Sequence, residues 1–163
     1  MATKKKGKKK AGKAKAKSDK KAKKKAGSPK AKSAAPKQVK TGKGASPLEV
    51  GNDLVKLVRS GKGDEVYAKW WAPGVVSVEG LGMSMEWSGR KSVLQKNATW
   101  EADHVVHGAE VEGPFVGATG FSVRFKMGIE TKSTGQRESM EEIGVYTVKN
   151  GKIVREEFMY RAG

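Results

Sequence analysis

Toward its C-terminal end the chain alternates apolar and polar residues in a pattern that predicts three long strands. Apolar side chains take every second position from Phe121 to Ile129, which is the period of a strand with one buried face. Turn-type residues at 131–135 end this run, and Asn150-Gly151 separates a second run (136–148) from a third (152–160). Asn-Gly favours a type I′ hairpin turn because both residues accept positive φ. The segment therefore predicts an antiparallel meander.

The two-residue turn also predicts which side chains share a face. It places Val148 opposite Ile153 and Val145 opposite Glu156. One face then collects the more apolar residues, and we assign it to the core: Ile143, Val145, Val154, Phe158 and Tyr160, together with Glu141 and Glu156. The other face, which includes Glu142 and Tyr146, is left for solvent or a partner subunit. A carboxylate on the core face is either a satisfied structural charge or the wall of a polar pocket.

The preceding part of the chain reads mainly as helices. Ser46, Pro47 and Glu49 form a capping box that starts a first helix, which ends at Gly61. The pattern further predicts helices at 65–71 and 89–101, strands at 75–79 and 104–112, and a flexible loop or lid at 80–87. Helices followed by consecutive strands predict an α+β fold, a curved antiparallel sheet packed on three helices.

Charge divides the chain into two parts. Residues 1–45 contain 19 Lys and a single acid, Asp19, which gives +18, whereas residues 46–163 sum to −1. The first part is built from Lys, Ala, Gly, Ser and Pro without an aromatic residue, so it cannot bury enough apolar area to fold. We expect a disordered Lys-rich tail at 1–45 and one domain at 46–163.

The tail resembles the tails of linker histones, most closely over Lys23 to Lys37 (KKKAGSPKAKSAAPK). That resemblance implies contact with nucleic acid through phosphates, without base reading. A solubilising tail and a nuclear localisation signal are the alternatives. A nucleoid-associated cytoplasmic protein is expected, or a nuclear one in a eukaryote. The candidate nucleic-acid-binding residues are Lys4, Lys5, Lys6, Lys8, Lys9, Lys10, Lys13, Lys20, Lys21, Lys23, Lys24 and Lys25.

Composition and motifs exclude several classes of function. The chain has no Cys, which excludes disulfides, thiol chemistry and Cys-based metal sites. No apolar run approaches the ~18 residues of a membrane span, and the N-terminus lacks the apolar core of a signal peptide. Zinc spacing and a phosphate-binding Gly loop are also missing. We therefore expect no metal, cofactor or membrane partner.

Four stretches resemble the SnoaL-like branch of the nuclear transport factor 2-like superfamily. They are 63–71 (GDEVYAKWW), 75–79 (VVSVE), 88–93 (SGRKSV) and, above all, 145–156 (VYTVKNGKIVRE). The resemblance spans about 47–160. It implies a cone-shaped curved sheet holding three helices, a pocket between them, and frequent homodimers through the outer sheet face. Members include polyketide cyclases, ketosteroid isomerases and many non-enzymatic binding domains.

The implied cone places candidate site residues at the end of the first strand, on the second helix and on inward positions of the last strands. Candidate catalytic residues are Glu156 and Glu79 as general acid or base, Tyr160 as hydrogen-bond donor to an oxyanion, and His107 as proton shuttle. Candidate ligand-binding residues are Trp71, Trp87, Trp100 and Phe158. The alternatives are hydrogen-bonded structural carboxylates, a surface histidine and tryptophans packed in the core.

The isomerases of that superfamily carry an Asp just after the first strand and another at an inward position of the penultimate strand. Here those positions are Gly80 and, on the predicted register, Ile143 or Val145.

The sequence as a whole leaves two functions open. The first is a domain with a pocket for a small apolar ligand, tethered to nucleic acid by its tail. The alternative is an isomerase-, cyclase- or hydratase-type enzyme that uses a pocket carboxylate.

Overall fold

The computed structural model describes residues 44–80 and 85–160. It contains three helices, α1 (Pro47–Arg59), α2 (Gly63–Trp70) and α3 (Arg90–Asp103). Six strands accompany them: β1 (Trp71–Glu79), β2 (Met85–Ser88), β3 (His104–Val116), β4 (Gly120–Thr131), β5 (Gln136–Lys149) and β6 (Lys152–Tyr160). Within the described ranges, no helix is long and apolar enough to cross a membrane. The twelve candidate lysines of the tail, Lys4 to Lys25, lie outside the described residues.

Helix α1 begins with the capping box that the sequence predicts. The backbone N–H of Ser46 donates to the Glu49 carboxylate at 2.7 Å, and Ser46 Oγ accepts from the backbone N–H of Glu49 at 3.3 Å. Two backbone donors that have no partner within the helix are satisfied in this way. The apolar face of α1, with Val50 and Leu54, is then buried against the sheet.

The strands form one curved, open sheet in the order β2-β1-β6-β5-β4-β3. All neighbouring pairs are antiparallel except β1 and β6, which are parallel. The parallel pair arises because α3 and the β3–β5 strands separate β1 from β6 along the chain. The predicted α+β class and the three helices are confirmed.

The region around the predicted loop differs from the prediction. Residues 85–88 form β2, which pairs antiparallel with β1 (Val76 opposite Ser88, Glu79 opposite Met85). The loop predicted for 80–87 is therefore wrong at 85–87, and 81–84 lie outside the described residues. Strand β1 also starts four residues earlier than predicted, at Trp71, so this indole projects from a strand rather than from a helix.

The β5–β6 hairpin turns at Asn150 and Gly151, whose φ angles are 53° and 73°, as the sequence predicts. Val148 lies opposite Ile153, also as predicted. Beyond that pair the register shifts, because Thr147 pairs with Arg155 and Val154 becomes an extra residue on β6. A bulge of this kind puts two residues of one strand opposite one residue of its partner. Tyr146 rather than Val145 therefore lies opposite Glu156.

The bulge exchanges the two faces of β5 relative to the prediction. Ile143 and Val145, which we assigned to the core, are 41% and 37% exposed, whereas Tyr146 is 5% exposed. Glu142 turns toward the interior on the same face as Tyr146. The assignment of Glu156, Phe158 and Tyr160 on β6 to the inner face is correct. The prediction for β5 is wrong because an unbulged hairpin was assumed.

The core lies between the concave face of the sheet and the helices. Its fully buried side chains come from every layer: Val50 and Leu54 of α1, Val75 of β1, Val93 of α3, Val123 of β4 and Ile153 of β6. Toward one end the packing opens, and there the inward residues of β1, β5 and β6 line a cavity.

Candidate active site

The cavity between the helices and the concave sheet face has a volume of about 500 Å³. Most of its wall is apolar or aromatic, with side chains from α1, α2, α3, β1, β2, β4, β5 and β6. Three carboxylates of the strands and one ammonium reach it: Glu79, Glu142, Glu156 and Lys96. Charged groups in an otherwise apolar cavity make this the candidate site.

Glu156 lies deepest of the carboxylates and is 3% exposed. The indole N–H of Trp71 donates to Glu156 Oε2 at 3.0 Å, and the Ser77 hydroxyl also bonds to this carboxylate. Burial raises the pKa of Glu156 to about 7, although the nearby Lys96 ammonium and the two hydrogen bonds oppose that shift. Its two donors hold it in one orientation, as expected for a structural or positioning charge.

Glu142 lies two residues from Gly144 on β5 and directly opposite Tyr160 on β6. Its side chain is half-buried at the cavity wall. Burial, followed by the negative charge of Glu79, raises the pKa of Glu142 to about 7. No described residue donates a hydrogen bond to it or forms an ion pair with it. Of the three strand carboxylates, Glu142 is therefore the one that remains available to a bound molecule.

Lys96 reaches from α3 to the end of β1. Its ammonium donates to Ser77 Oγ at 2.9 Å and forms a short ion pair with Glu79. The same nitrogen lies 5.0 Å from the ring centroid of Phe158 and 5.7 Å from that of Trp87, close enough for cation–π attraction. Among the described residues, Lys96 is the only Lys or Arg that lines the cavity. It forms an ion pair with Glu79 but not with Glu142, whose pKa its charge lowers only from a distance.

Three tyrosines supply hydroxyl groups around the carboxylates. Tyr146 is buried, and burial raises its pKa well above the usual value, with Glu156 adding to the shift. Burial likewise raises the pKa of Tyr67, which stacks on Trp71 at 4.2 Å between ring centroids, and of Tyr160. All three therefore stay protonated near neutral pH and can donate hydrogen bonds to a developing oxyanion.

Most residues predicted for the site do reach the cavity. Glu79, Glu156, Tyr160, Trp71, Trp87, Trp100 and Phe158 all line it. His107 does not: its Nε2 lies 2.8 Å from the carboxylate of Glu130, which also accepts from Arg137 at 2.7 Å, and the imidazole is 42% exposed. The proposed proton shuttle therefore lies apart from the other candidates. Within the described ranges, no cluster of His, Asp and Glu is arranged to hold a metal ion.

The lining residues that sequence reasoning missed include Glu142, Tyr146 and Lys96. The first two were assigned to the outer face because the bulge at Val154 has no clear sequence signal. With the bulge, the inward positions of the penultimate strand are Glu142, Gly144 and Tyr146, so this strand does present an inward carboxylate. Lys96 lies on α3 two residues after Leu94, which is 41% exposed, and nothing in the local pattern indicates that its side chain turns inward.

The sequence matches the family model of the SnoaL-like domain over residues 45–160. A SnoaL-like protein from Mesorhizobium loti, described as a candidate polyketide cyclase and also as a carbohydrate phosphatase, is 39% identical. That match covers 68% of this chain and 95% of the other, with a TM-score of 0.64. No curated protein matches the sequence.

Two further solved structures are similar in fold. A candidate SnoaL-like polyketide cyclase from Jannaschia sp. CCS1 is 14% identical and covers 73% of this chain and 91% of its own, with a TM-score of 0.59. A candidate isomerase from Bacillus subtilis is 12% identical and covers 72% and 90%, with a TM-score of 0.56. At these identities the likeness concerns the fold alone.

Proposed function

The chain belongs to the SnoaL-like domain family, and from this premise we propose that it is an enzyme of the cyclase or isomerase type. Its substrate would be a small, largely apolar compound that carries a carbonyl or hydroxyl group. The observation that supports this most directly is Glu142, a half-buried carboxylate that faces the cavity without a hydrogen bond from any described residue.

The cavity suits such a substrate in size and in lining. About 500 Å³ lies within the ~300–1,000 Å³ that small-molecule sites usually have. Trp87 and Trp100 provide flat apolar surface, and the thioethers of Met85, Met127 and Met140 can adapt to different shapes. A compound with one polar oxygen would bury its carbon skeleton here and bring that oxygen to the polar wall.

Glu142 has the protonation behaviour that proton transfer requires. With a pKa of about 7, its ionised and protonated forms are both populated at neutral pH. The carboxylate would take a proton from a carbon next to the substrate carbonyl, which leaves an enolate and the carboxylic acid. Return of the same proton to another carbon completes an isomerisation and restores Glu142.

Tyr160 would assist that step. It lies directly across the hairpin from Glu142, lines the same cavity and stays protonated at neutral pH. Its hydroxyl would donate a hydrogen bond to the enolate oxygen as negative charge develops there. Glu156, which Trp71 and Ser77 already bind, would shape the cavity rather than exchange the proton.

The test is hydrogen exchange at carbon. Full-length protein is incubated in D₂O with a panel of small cyclic ketones, and deuterium uptake next to the carbonyl is followed by NMR. We expect Glu142→Gln to slow uptake by about 10²–10⁴-fold, the usual contribution of a general base. Because the ionised carboxylate acts, wild-type uptake should rise with pH through about 7.

Glu138→Gln is the matched control, because Glu138 lies on the same strand but is exposed and outside the cavity. Its uptake rate should equal that of the wild type. Ketones that bind, as shown by quenching of tryptophan fluorescence, but exchange no faster than in buffer would contradict the proposed chemistry. The domain would then be a binding module.

We also propose that the Lys-rich segment at 1–45 binds nucleic acid through phosphates. The support is the separation of charge in the sequence, +18 before Ser46 and −1 after Ala45. If about 6–10 phosphates are contacted, affinity for DNA should fall by ~10³–10⁵ between 50 and 200 mM salt. Fluorescence anisotropy with a labelled duplex measures this. Retention of full affinity at 200 mM salt would contradict an electrostatic site.

A further inference from the structure

Exposed lysines gather at the turn between β5 and β6. Lys149 and Lys152 are the cross-strand pair that flanks Asn150-Gly151. The Lys152 ammonium donates to the backbone carbonyl of Lys69, near the end of α2, at 2.5 Å. The side chains of Lys69, Lys149 and Lys152 are exposed, and we call these three residues the turn patch. The patch is basic although the domain as a whole is close to neutral.

Trp70 and Asp53 hold the patch in place. The ammonium groups of Lys69 and Lys152 lie 5.0 and 5.9 Å from the Trp70 ring, and the indole N–H donates to Asp53 Oδ2 at 2.7 Å. Lys69 donates to the same oxygen at 2.8 Å. Asp53 therefore neutralises Lys69 in part. No carboxylate of the described residues forms an ion pair with Lys149 or Lys152.

The Lys-rich segment joins the domain at this same turn. Gly44 packs so closely on it that an added Cβ would lie 2.6 Å from the carbonyl carbon of Asn150. In the sequence, Lys43 directly precedes Gly44, and 19 of the first 45 residues are Lys. Gly44 and Ala45, the last two residues of this segment, therefore lie against the turn that carries the patch.

We propose that the turn patch is a phosphate-contacting surface of the folded domain, which extends the nucleic-acid site of the tail. The proposal rests on the nucleic-acid binding proposed above. Double-stranded DNA presents a charge about every 1.7 Å along its axis, so a duplex that touches the chain at Gly44 has phosphates within reach of the patch. Lysines already fixed around Trp70 lose less side-chain entropy on binding than lysines of a free tail.

The partner would be bound without base reading. Two ammonium groups lie near the Trp70 ring and Asp53 accepts from its N–H, so the indole has no free donor to offer a base. Lysine contacts with phosphate carry no sequence information. The patch should therefore contribute equally to binding of unrelated sequences of the same length.

The experiment measures the salt dependence of DNA binding by full-length protein. The triple variant K69Q/K149Q/K152Q is compared with K91Q/K126Q/K132Q, which removes the same charge from exposed lysines of α3, β4 and the opposite turn of the sheet. Each phosphate contact contributes about −0.9 to the slope of log affinity against log salt concentration. We expect the slope of the patch variant to be shallower by about 2.7, and that of the control to match the wild type.

A single substitution, K149Q, tests the patch even if the triple variant does not fold. Lys149 is exposed and forms no hydrogen bond with a described residue, so K149Q should melt as the wild type does while its slope becomes shallower by about 0.9. Equal slopes for the wild type and both patch variants would overturn the inference. A wild type that binds no DNA at 50 mM salt would instead overturn the nucleic-acid function on which it rests.

Discussion

Glu156 and Ser77 are the two buried polar side chains of the described core, and they bond to each other. Together with Trp71, Ser77 satisfies a carboxylate that would otherwise be costly to bury. The raised pKa shows that these partners offset only part of the desolvation. The ionised Glu156 carboxylate therefore lowers the stability of the fold at neutral pH. Groups with strongly shifted pKa values are often found at functional sites.

The pH dependence of stability follows from the direction of that shift. The pKa of Glu156 rises from 4.5 to about 7 on folding, so between these values the native state holds a proton that the unfolded state has released. The resulting stabilisation is complete below about pH 4.5 and is lost as the pH rises through about 7. A shift of this size corresponds to about 3 kcal/mol.

Glu156→Gln removes the titration while keeping an oxygen that can accept from Trp71. Relative to this variant, the wild type should lose about 3 kcal/mol of unfolding free energy between pH 4.5 and 8. Urea unfolding at both pH values measures the difference. Glu49, Asp53 and Glu130, whose pKa values are lowered by their partners, and Glu142, whose pKa is raised mainly by burial, titrate in both proteins and largely cancel. Parallel pH profiles for the two proteins would contradict the buried titration.

At the scale of elements, two hairpin turns allow a direct comparison. Gly135 and Gly151 have nearly equal φ angles, 71° and 73°, so an alanine at either position meets the same backbone strain of roughly 1–2 kcal/mol. Their surroundings differ. A Cβ at Gly135 would meet nothing within 4 Å, whereas at Gly151 it would lie 2.5 Å from the backbone nitrogen of Ala45.

Gly151→Ala should therefore destabilise the protein more than Gly135→Ala. The shared cost is the left-handed conformation, and the extra cost comes from displacing the segment that enters α1. Urea midpoints of both variants measure it, and Gly135→Ala is the internal control. Equal losses would mean that residues 44–45 are not packed on the β5–β6 turn in solution, which would also remove one support of the turn patch.

The same hairpin shows how far sequence determines structure here. Asn150-Gly151 predicts the turn and the pairing of Val148 with Ile153 correctly, because the requirement for positive φ is local. The bulge at Val154 is instead a feature of how β5 and β6 pair, and a regular alternation of residues does not reveal it. One extra residue is enough to exchange Ile143 and Val145 for Glu142 and Tyr146 on the inner face.

The site residues that could be predicted from the sequence are those on regularly alternating strands. Glu156, Phe158 and Tyr160 were placed correctly because β6 alternates regularly after the bulge. Lys96 could not be found, since its role depends on a contact between α3 and the end of β1 rather than on a local pattern. His107 was misplaced because β3 has an irregularity between Val106 and Gly108, and its imidazole pairs with Glu130 instead.

At the scale of the whole molecule, the outer sheet face combines apolar and charged groups. Phe115, Ser122 and Val145 are successive cross-strand neighbours on β3, β4 and β5, and Phe115 is 60% exposed. Ile143, 41% exposed, lies two residues from Val145 on the same face. Around them Arg124 pairs with Glu112 and Glu141, at 3.0 and 3.3 Å. We expect this surface to pair with a second copy of the chain.

Self-association suits a surface that carries both signs of charge. In a two-fold dimer each residue of the patch meets another residue of the same patch, so Arg124 of one copy can approach Glu112 or Glu141 of the other while the apolar groups pack between them. A homodimer in solution is the expected result for the wild type, measured by sedimentation velocity. The double substitution I143E/V145E places four like charges in such an interface and should give a monomer.

The control L48E/L94E introduces the same charge at leucines that are 51% and 41% exposed on α1 and α3. It should remain dimeric, because neither helix position belongs to the outer sheet face. A wild type that sediments as a monomer, or a control that dissociates as readily as I143E/V145E, would contradict the predicted interface. The dimer also bears on the cavity, because Glu142 lies between Glu141 and Ile143 on β5 and points to the opposite face of the sheet. A dimer contact on the outer face would therefore fix β5 and hold the Glu142 carboxylate in place. The monomeric I143E/V145E variant should then also show slower deuterium uptake by the ketone than the wild type, although its Glu142 is unchanged.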